Sequence, residues 1–302
     1  MAKLIQWFPG HMKKAMRDME EKRALCDGVI CVLDSRAPIA TYNPKLPEIF
    51  AGKPVLYVLN KSDLSDGKSE KFAAMIEAQG KPCVAISAVN GASRRVLEKR
   101  LQILTKEKRE RAESKGVIRR FRYTVVGIPN TGKSTVVNLL GGAKRAKTGD
   151  IAGVTRDVRW IKCADFDLLD TPGTMPPSCK TQYLARHLAY IGSLNDDILD
   201  IADVALELLK ELKANYPAAL QERYGIDCGG NNAETDKTAD EEERTREAVE
   251  MLETACRRRG FILRGGEFDY ERGARAVIDD FRKGRLGKIC LENPSDFADV
   301  KF

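Results

Sequence analysis

The sequence predicts an α/β domain on a mostly parallel sheet with helices on both faces, followed by a small all-helical domain. Three observations carry that prediction. Continuous apolar runs at 28–34, 54–59, 82–86 and 122–126 read as central parallel strands, which are covered on both faces and therefore do not alternate. The run at 122–126 feeds a glycine-rich loop and then a helix, a strand–loop–helix unit found in nucleotide-binding sheets. Beyond residue 180 the pattern turns to helical periodicity, at 183–191, 196–215, 217–224, 241–259 and 268–283. With 302 residues each part is long enough to bury a core, and the boundary falls near Pro176-Pro177-Ser178, giving domains at 1–178 and 179–302.

The unit around which the rest is arranged is Gly127-Ile128-Pro129-Asn130-Thr131-Gly132-Lys133-Ser134, which fits G-x-x-x-x-G-K-[ST]. Strand, loop and helix start together aim backbone N–H groups and the positive end of a helix dipole at a phosphate chain. Lys133 adds a point charge for the outer phosphates, and the Ser134 hydroxyl is placed to ligate magnesium. Asn130, Thr131, Gly132, Lys133, Ser134 and Thr135 are thus the expected nucleotide contacts of this loop.

The elements before it read in order as follows. An aromatic opening, Ile5-Gln6-Trp7-Phe8-Pro9-Gly10-His11-Met12, breaks at Pro-Gly, and Met12, Met16 and Met19 then recur at helical spacing. The first strand leaves through Asp34-Ser35-Arg36-Ala37-Pro38 as a loop. The second delivers Asn60-Lys61-Ser62-Asp63 at its carboxyl end, where open α/β sheets bind ligands. An Asp63 carboxylate offers two acceptors to N1–H and the exocyclic amine of guanine, a donor pair that adenine lacks, while the Lys61 stem can lie over the base. An ordinary Asx turn is the alternative reading of those four residues. The third strand ends in Ser87-Ala88, where a backbone N–H would meet the guanine carbonyl. A single helix is expected from 93 to about 115, closing in a charge-dense, solvated end.

After the phosphate loop, 148–156 is polar and glycine-broken, and Thr155 is the candidate second magnesium hydroxyl. Two strands at 158–163 and 166–169 follow, and the second delivers Asp170-Thr171-Pro172-Gly173. Asp170 would hold magnesium through water, and the Gly173 N–H would sense the terminal phosphate. In the helical part, Asp240 or Thr238 is the expected N-cap of 241–259, with Gly260 and Gly284 as C-caps.

Composition narrows the class of protein. The net charge of +7 and pI near 8.9 favour a polyanionic partner only mildly, since both signs are plentiful. Eight cysteines without a C-x-x-C pair and with two histidines argue against a zinc site and fit a reducing compartment. No apolar run reaches membrane-spanning length and Met1-Ala2-Lys3-Leu4 opens no signal peptide, so a cytoplasmic protein is expected.

Asn60-Lys61-Ser62-Asp63, Ser87-Ala88, the phosphate loop, Thr155 and Asp170-Thr171-Pro172-Gly173 form the guanine- and phosphate-binding set of translation-factor-related GTPases, but in rearranged order. The base motifs precede the phosphate loop. With that order, the aromatic opening and the helical tail, the chain resembles the circularly permuted GTPases of the ribosome biogenesis GTPase A (YlqF) type over nearly its whole length. Asp203-Val204-Ala205-Leu206 and Tyr216-Pro217, with Glu222-Arg223-Tyr224-Gly225, add to the likeness. The resemblance implies a circularly permuted P-loop GTPase domain, GTP hydrolysis coupled to late assembly of the large ribosomal subunit, and a helical domain that binds ribosomal RNA. It implies GTP or GDP with Mg2+ as ligands, and K+ bound at Asn130, for which a purely loop-shaping role is the alternative.

It also matches His11 to the histidine that handles water in the family, against the reading that His11 only caps the first helix. Thr174 stands where Ras-type GTPases place a water-orienting Gln and is too short for that work. Arg272, Arg275 and Arg282 sit at spacings that can share a helix face, as RNA-binding candidates beside the default of a solvated surface. The free protein is expected to be monomeric. A guanine-nucleotide-gated RNA chaperone with negligible hydrolysis is the alternative function; a metabolic P-loop kinase is disfavoured by Asn60-Lys61-Ser62-Asp63.

Overall fold

The computed structural model describes residues 10–142, 159–176, 179, 181–228 and 240–302, with the backbone alone for 10–15 and 159. The strands are β1 (Gly28–Asp34), β2 (Val55–Asn60), β3 (Cys83–Ala85), β4 (Phe121–Val126), β5 (Arg159–Lys162) and β6 (Phe166–Asp170). Among the described residues they form one sheet in the order β3-β2-β1-β4-β6-β5, parallel except for β5, which runs antiparallel to β6 at the edge. The chain starts in the middle, winds outward through β2 and β3, then returns to lay β4 on the other side of β1. Adjacent β1 and β4 therefore send their connections in opposite directions, which opens a crevice beyond their carboxyl ends. Among the described residues, the loops that carry the predicted nucleotide motifs follow β2, β3, β4 and β6 and so lie on that same edge.

Strand parity divides the core. Ile30, Val32, Leu56, Val58, Val125 and Leu168 face α4 (Ser93–Leu104) and α6 (Lys133–Gly141), whose Leu97, Leu101, Val136, Val137 and Leu140 close that side. Val29, Cys31, Leu33, Tyr57 and Leu59 face the other way, against Met19 of α1 (Gly10–Lys22) and Phe72 and Ile76 of α3 (Lys68–Ala78). A short α2 (Lys45–Ile49) adds Leu46 to this side. The expected helix from 93 to 115 is two, because α5 (Lys106–Glu113) starts afresh after Thr105. Buried Thr105 spends its hydroxyl on the Leu101 carbonyl, at 3.0 Å, and on Tyr123, at 2.9 Å, which breaks the helical run. The sequence pattern predicts no element over 64–81, where α3 lies.

The tail comprises α7 (Gln182–Tyr190), α8 (Ile201–Asn215), α9 (Pro217–Tyr224), α10 (Glu241–Arg259) and α11 (Tyr270–Arg282). Asp240 caps α10 by accepting from the Glu243 N–H at 2.8 Å, as its position suggested. Leu184, Leu188, Leu208, Leu212, Val277 and Phe281 belong to the same apolar cluster as Cys31 and Tyr57 of the sheet. One apolar cluster thus spans both sides of the expected boundary. Residues 284–302 then return to the sheet: the Ile289 and Leu291 N–H groups donate to the carbonyls of Leu64 and Arg36, at 2.9 and 2.8 Å, and Phe302 packs on Tyr42 and Tyr57. None of the eight cysteines is in a disulfide, and no described helix is long and apolar enough to cross a membrane.

One buried charge holds the tail and its return segment together. His187 on α7 is fully buried, with Nδ1 3.1 Å from Glu292 and Nε2 2.9 Å from Glu211 of α8. Glu292 also accepts from the Ile39 and Ala40 N–H groups, at 2.6 and 3.0 Å. Burial opposes a charge on the imidazole, but the two carboxylate hydrogen bonds outweigh it and raise its pKa to about 9. A pKa raised on folding stabilises fully below the unfolded value and ceases to do so as pH climbs through the folded one. Wild-type stability, measured by urea unfolding, should therefore fall by on the order of 3 kcal/mol between about pH 6.5 and 9.5, and His187→Gln should lack that component. Parallel pH profiles for the two proteins would mean that the imidazole is neutral in the fold.

Candidate nucleotide site

The phosphate loop is shaped by what sits behind it. Gly127 has φ +145°, and a Cβ there would lie 2.4 Å from the Val32 carbonyl oxygen of β1. Gly132 has φ +89°, and its Cβ would lie 2.2 Å from Asn60 Nδ2. Both positions therefore need glycine for close approach as well as for backbone angle. Between them Asn130 adopts φ +61° without being glycine. Lys133 opens α6 and is buried; its ammonium donates to the Ile128 carbonyl at 2.6 Å. Burial lowers its pKa to about 8, against the pull of the nearby Asp170 carboxylate. Gly173 lies flat on this loop: a Cβ would meet Pro129 N at 2.7 Å and Lys133 Nζ at 2.9 Å. The expected γ-phosphate sensor is thereby in contact with the loop that holds the phosphates.

Asn60 and Lys61 are struts to the phosphate loop. Asn60, buried at the end of β2, donates to the Thr131 carbonyl at 2.9 Å and accepts from the Ala88 N–H at 3.0 Å. One amide thus ties the phosphate loop, the base motif and Ser87-Ala88 together. Of the Ser87-Ala88 backbone donors, one of which is expected at the guanine carbonyl, the Ala88 N–H is committed to Asn60. Lys61 is left-handed at φ 63°, and its ammonium donates to the Asn130 carbonyl at 2.6 Å. Asp63 is exposed in the 3-10 turn Ser62–Leu64 on the same edge. An isolated Asx turn would not need these two ties to another loop.

Two groups that the sequence reading passed over complete the geometry. Asp34, at the carboxyl end of β1 and fully buried, receives the Arg36 fork at 2.9 and 2.8 Å and the Lys61 ammonium at 2.9 Å. Burial opposes its charge, and Arg36 and Lys61 overcome that to hold the carboxyl well below the usual carboxylate range. Asn43 donates to the Thr174 carbonyl at 3.1 Å, while the Thr174 N–H donates to the Gly127 carbonyl at 3.3 Å. Thr174 is thus buried, with its backbone pinned on both sides.

Comparison with known proteins gives the family. A profile of the 50S ribosome-binding GTPase family matches residues 122–226. Ribosome biogenesis GTPase A of Bacillus cereus is 37% identical over 98% of this chain and 96% of that protein. The chain belongs to the ribosome biogenesis GTPase A family. The Thermotoga maritima member is 28% identical over 98% of this chain and 97% of its own length. A GNP-bound structure of YlqF from T. maritima matches with TM-score 0.63 and 25% identity over 93% of this chain and 98% of that one. A GDP-bound YlqF structure matches at TM-score 0.62. Family membership makes the chain a GTPase, and the strand order described above is the permuted arrangement expected for it.

Other predicted site residues fall differently. His11 lies in the first turn of α1 with its side chain outside the described residues, and Thr155 lies outside them altogether. Ser134 and Thr135 sit in the first turn of α6, and buried Asp170 ends β6. The Ser134 hydroxyl and Asp170 carboxylate are hard oxygen donors of the type magnesium prefers, so they fit that ion. Arg272 and Arg275 are exposed on α11, the first over the Phe261 ring and the second paired with Glu271. Arg282 does not share their exposed setting: its guanidinium turns inward onto Asp196 and the carbonyls of Ala189 and Tyr190.

The Lys133 ammonium gives this site a pH signature. A phosphate chain beside it restores the ordinary high pKa, so above pH 8 nucleotide binding must draw in a proton. Titration calorimetry with GDP in buffers of different ionisation enthalpy should show uptake of more than half a proton at pH 8.5 and much less at pH 6.5. Equal uptake at both would mean that Lys133 is already fully charged in the free protein.

Proposed function

We propose that this GTPase acts in ribosome biogenesis, in late maturation of the large ribosomal subunit, with the helical tail contacting ribosomal RNA and its grip set by GTP or GDP. The family name supports the ribosomal setting. One structural observation carries the switching: the turn after α7 bonds directly to the phosphate loop, Ser193 Oγ donating to the Pro129 carbonyl at 2.8 Å and the Asn130 amide to the Gly192 carbonyl. A nucleotide that shifts Pro129 or Asn130 therefore pulls on the first tail helix, without relying on the covalent link alone.

In this reading Asp63 reads the guanine edge, Lys61 stays beside the base, and loop amides with Lys133 hold the phosphates. Ser134 and Asp170 would hold Mg2+, with Thr155 as the proposed further ligand; the ion supplies charge neutralisation on the phosphate oxygens. Water handling is assigned to His11, because Thr174 is pinned in the loop. K+ is proposed at Asn130. Since the Asn130 amide also anchors the tail, wild-type turnover in matched potassium and sodium buffers tests the ion more cleanly than a substitution. Exposed Arg272 and Arg275 are the proposed phosphate contacts on RNA, with Arg282 in a supporting position.

The experiment measures affinity for purified large ribosomal subunits with GDP and with a non-hydrolysable GTP analogue, and GTP turnover with and without subunits. The two forms should differ in affinity by roughly 5- to 150-fold, the usual range of coupling between sites, and subunits should raise turnover. Equal affinities and unchanged turnover would remove the switch. Nucleotide-dependent binding with negligible turnover under all conditions would favour the gated chaperone.

A further inference from the structure

Arg282 sits at the last position of α11, remote in sequence from the nucleotide motifs, yet its contacts lead to them by two routes. In the first, its side chain closes the turn after α7. Nε donates to the Tyr190 carbonyl at 3.0 Å and Nη2 to the Ala189 carbonyl at 2.8 Å, satisfying acceptors at the end of that helix. The two Nη groups also fork onto Asp196 at 2.7 and 2.8 Å, beyond the turn. Between those anchor points Gly192 adopts φ +76°, and a Cβ there would lie 3.1 Å from Arg282 Nε. The turn is thus pressed between the guanidinium and the phosphate loop, where Gly192 accepts from the Asn130 amide and Ser193 donates to Pro129.

The second route starts from the Arg282 backbone. Its carbonyl accepts from Arg36 Nη1 at 3.1 Å, and the Arg36 guanidinium lies 5.3 Å from the centre of the Phe281 ring. The rest of the Arg36 fork fixes Asp34, Asp34 fixes Lys61, and Lys61 donates to the Asn130 carbonyl at 2.6 Å. The two routes meet on one residue. Asn130 is held through its side chain by the tail turn and through its carbonyl by the guanine-loop lysine, at a positive φ that few non-glycine residues adopt unaided.

We propose that Arg282 is a positioning residue of the nucleotide site, setting the phosphate loop through Gly192-Ser193 and the guanine-loop lysine through Arg36 and Asp34. Its guanidinium is spent on Tyr190, Ala189 and Asp196, so it acts through other residues. The phosphate-loop half stands on geometry alone, whereas the base half rests on the assignment of Asn60-Lys61-Ser62-Asp63 to guanine. Because the two routes close on Asn130, movement of α11 against the sheet strains both the phosphate and the base contacts at once, and a nucleotide that tightens either draws α11 in.

The test is equilibrium titration of the full chain with GDP carrying a fluorophore on its ribose, alongside thermal unfolding. The variants are Arg282→Ala, Arg282→Lys, Ser193→Ala, the neighbouring Lys283→Ala and, as a separate arm, Asp63→Asn titrated with guanine and xanthine nucleotides. Arg282→Ala should weaken GDP binding about tenfold, the usual scale for losing a charge-assisted hydrogen bond. Arg282→Lys should recover part of that, Ser193→Ala should lose a few-fold with little change in unfolding temperature, and Lys283→Ala should match the wild type. If Arg282→Ala fails to fold, Ser193→Ala decides. Unchanged GDP affinity in Ser193→Ala and in any folded Arg282 variant, with only unfolding temperature lowered, would overturn the proposal. The Asp63→Asn arm reports separately: a variant that keeps its guanine preference defeats the base assignment, while losses in Ser193→Ala would still stand for the phosphate loop.

Discussion

Asp34 keeps a full negative charge with no exposed surface, at the end of the central strand, because Arg36 and Lys61 close over it. Taking such ions out of water costs several kcal/mol each, of order, and is tolerable only when geometry is good and remaining donors find partners. Here they do: the fork of Arg36 matches the carboxylate, its third nitrogen finds the Arg282 carbonyl, and Lys61 also reaches the Asn130 carbonyl. Removing any one leaves a buried charge without its counterpart, so the cluster acts as a unit. Lys61, the phosphate loop and the tail are all tied to it.

This makes the tail part of the same packed unit as the candidate nucleotide loops. The helices bury their apolar faces in the cluster that also holds Cys31 and Tyr57, and the return segment places Glu292 against the Ile39 and Ala40 amides. The polar links carry direction that apolar packing lacks, since a hydrogen bond weakens steeply as its angle departs from linear. Small displacements at the loops are therefore felt at α7 and α11, which is the physical basis of the switching proposed above.

The strands were legible because a parallel strand covered on both faces leaves an unbroken apolar run, as 28–34 does. Gly127 and Gly132 were legible through their spacing, and the permuted order followed from which motif comes first. What stayed hidden depends on contacts remote in sequence. Asp34-Ser35-Arg36 reads as an ordinary loop until Lys61 and Arg282 are brought to it, 27 positions and more away. Arg282 has the spacing of a surface arginine, and only the fold reveals Asp196 beneath it. Thr105 looks compatible with a continuing helix; the break comes from a tyrosine on β4. α3 follows Gly67 with no side-chain cap, so no start signal announced it.

The central claim is that the Asp34 charge acts on nucleotide through Lys61. A double-mutant cycle with Asp34→Asn, Lys61→Met and the pair, read as GDP affinity, tests it most directly. The account predicts coupling: each single change weakens binding, and the double variant binds no more weakly than the worse single, because removing one partner already forfeits the other's contribution. Losses that simply add, to within about 0.5 kcal/mol, would contradict it.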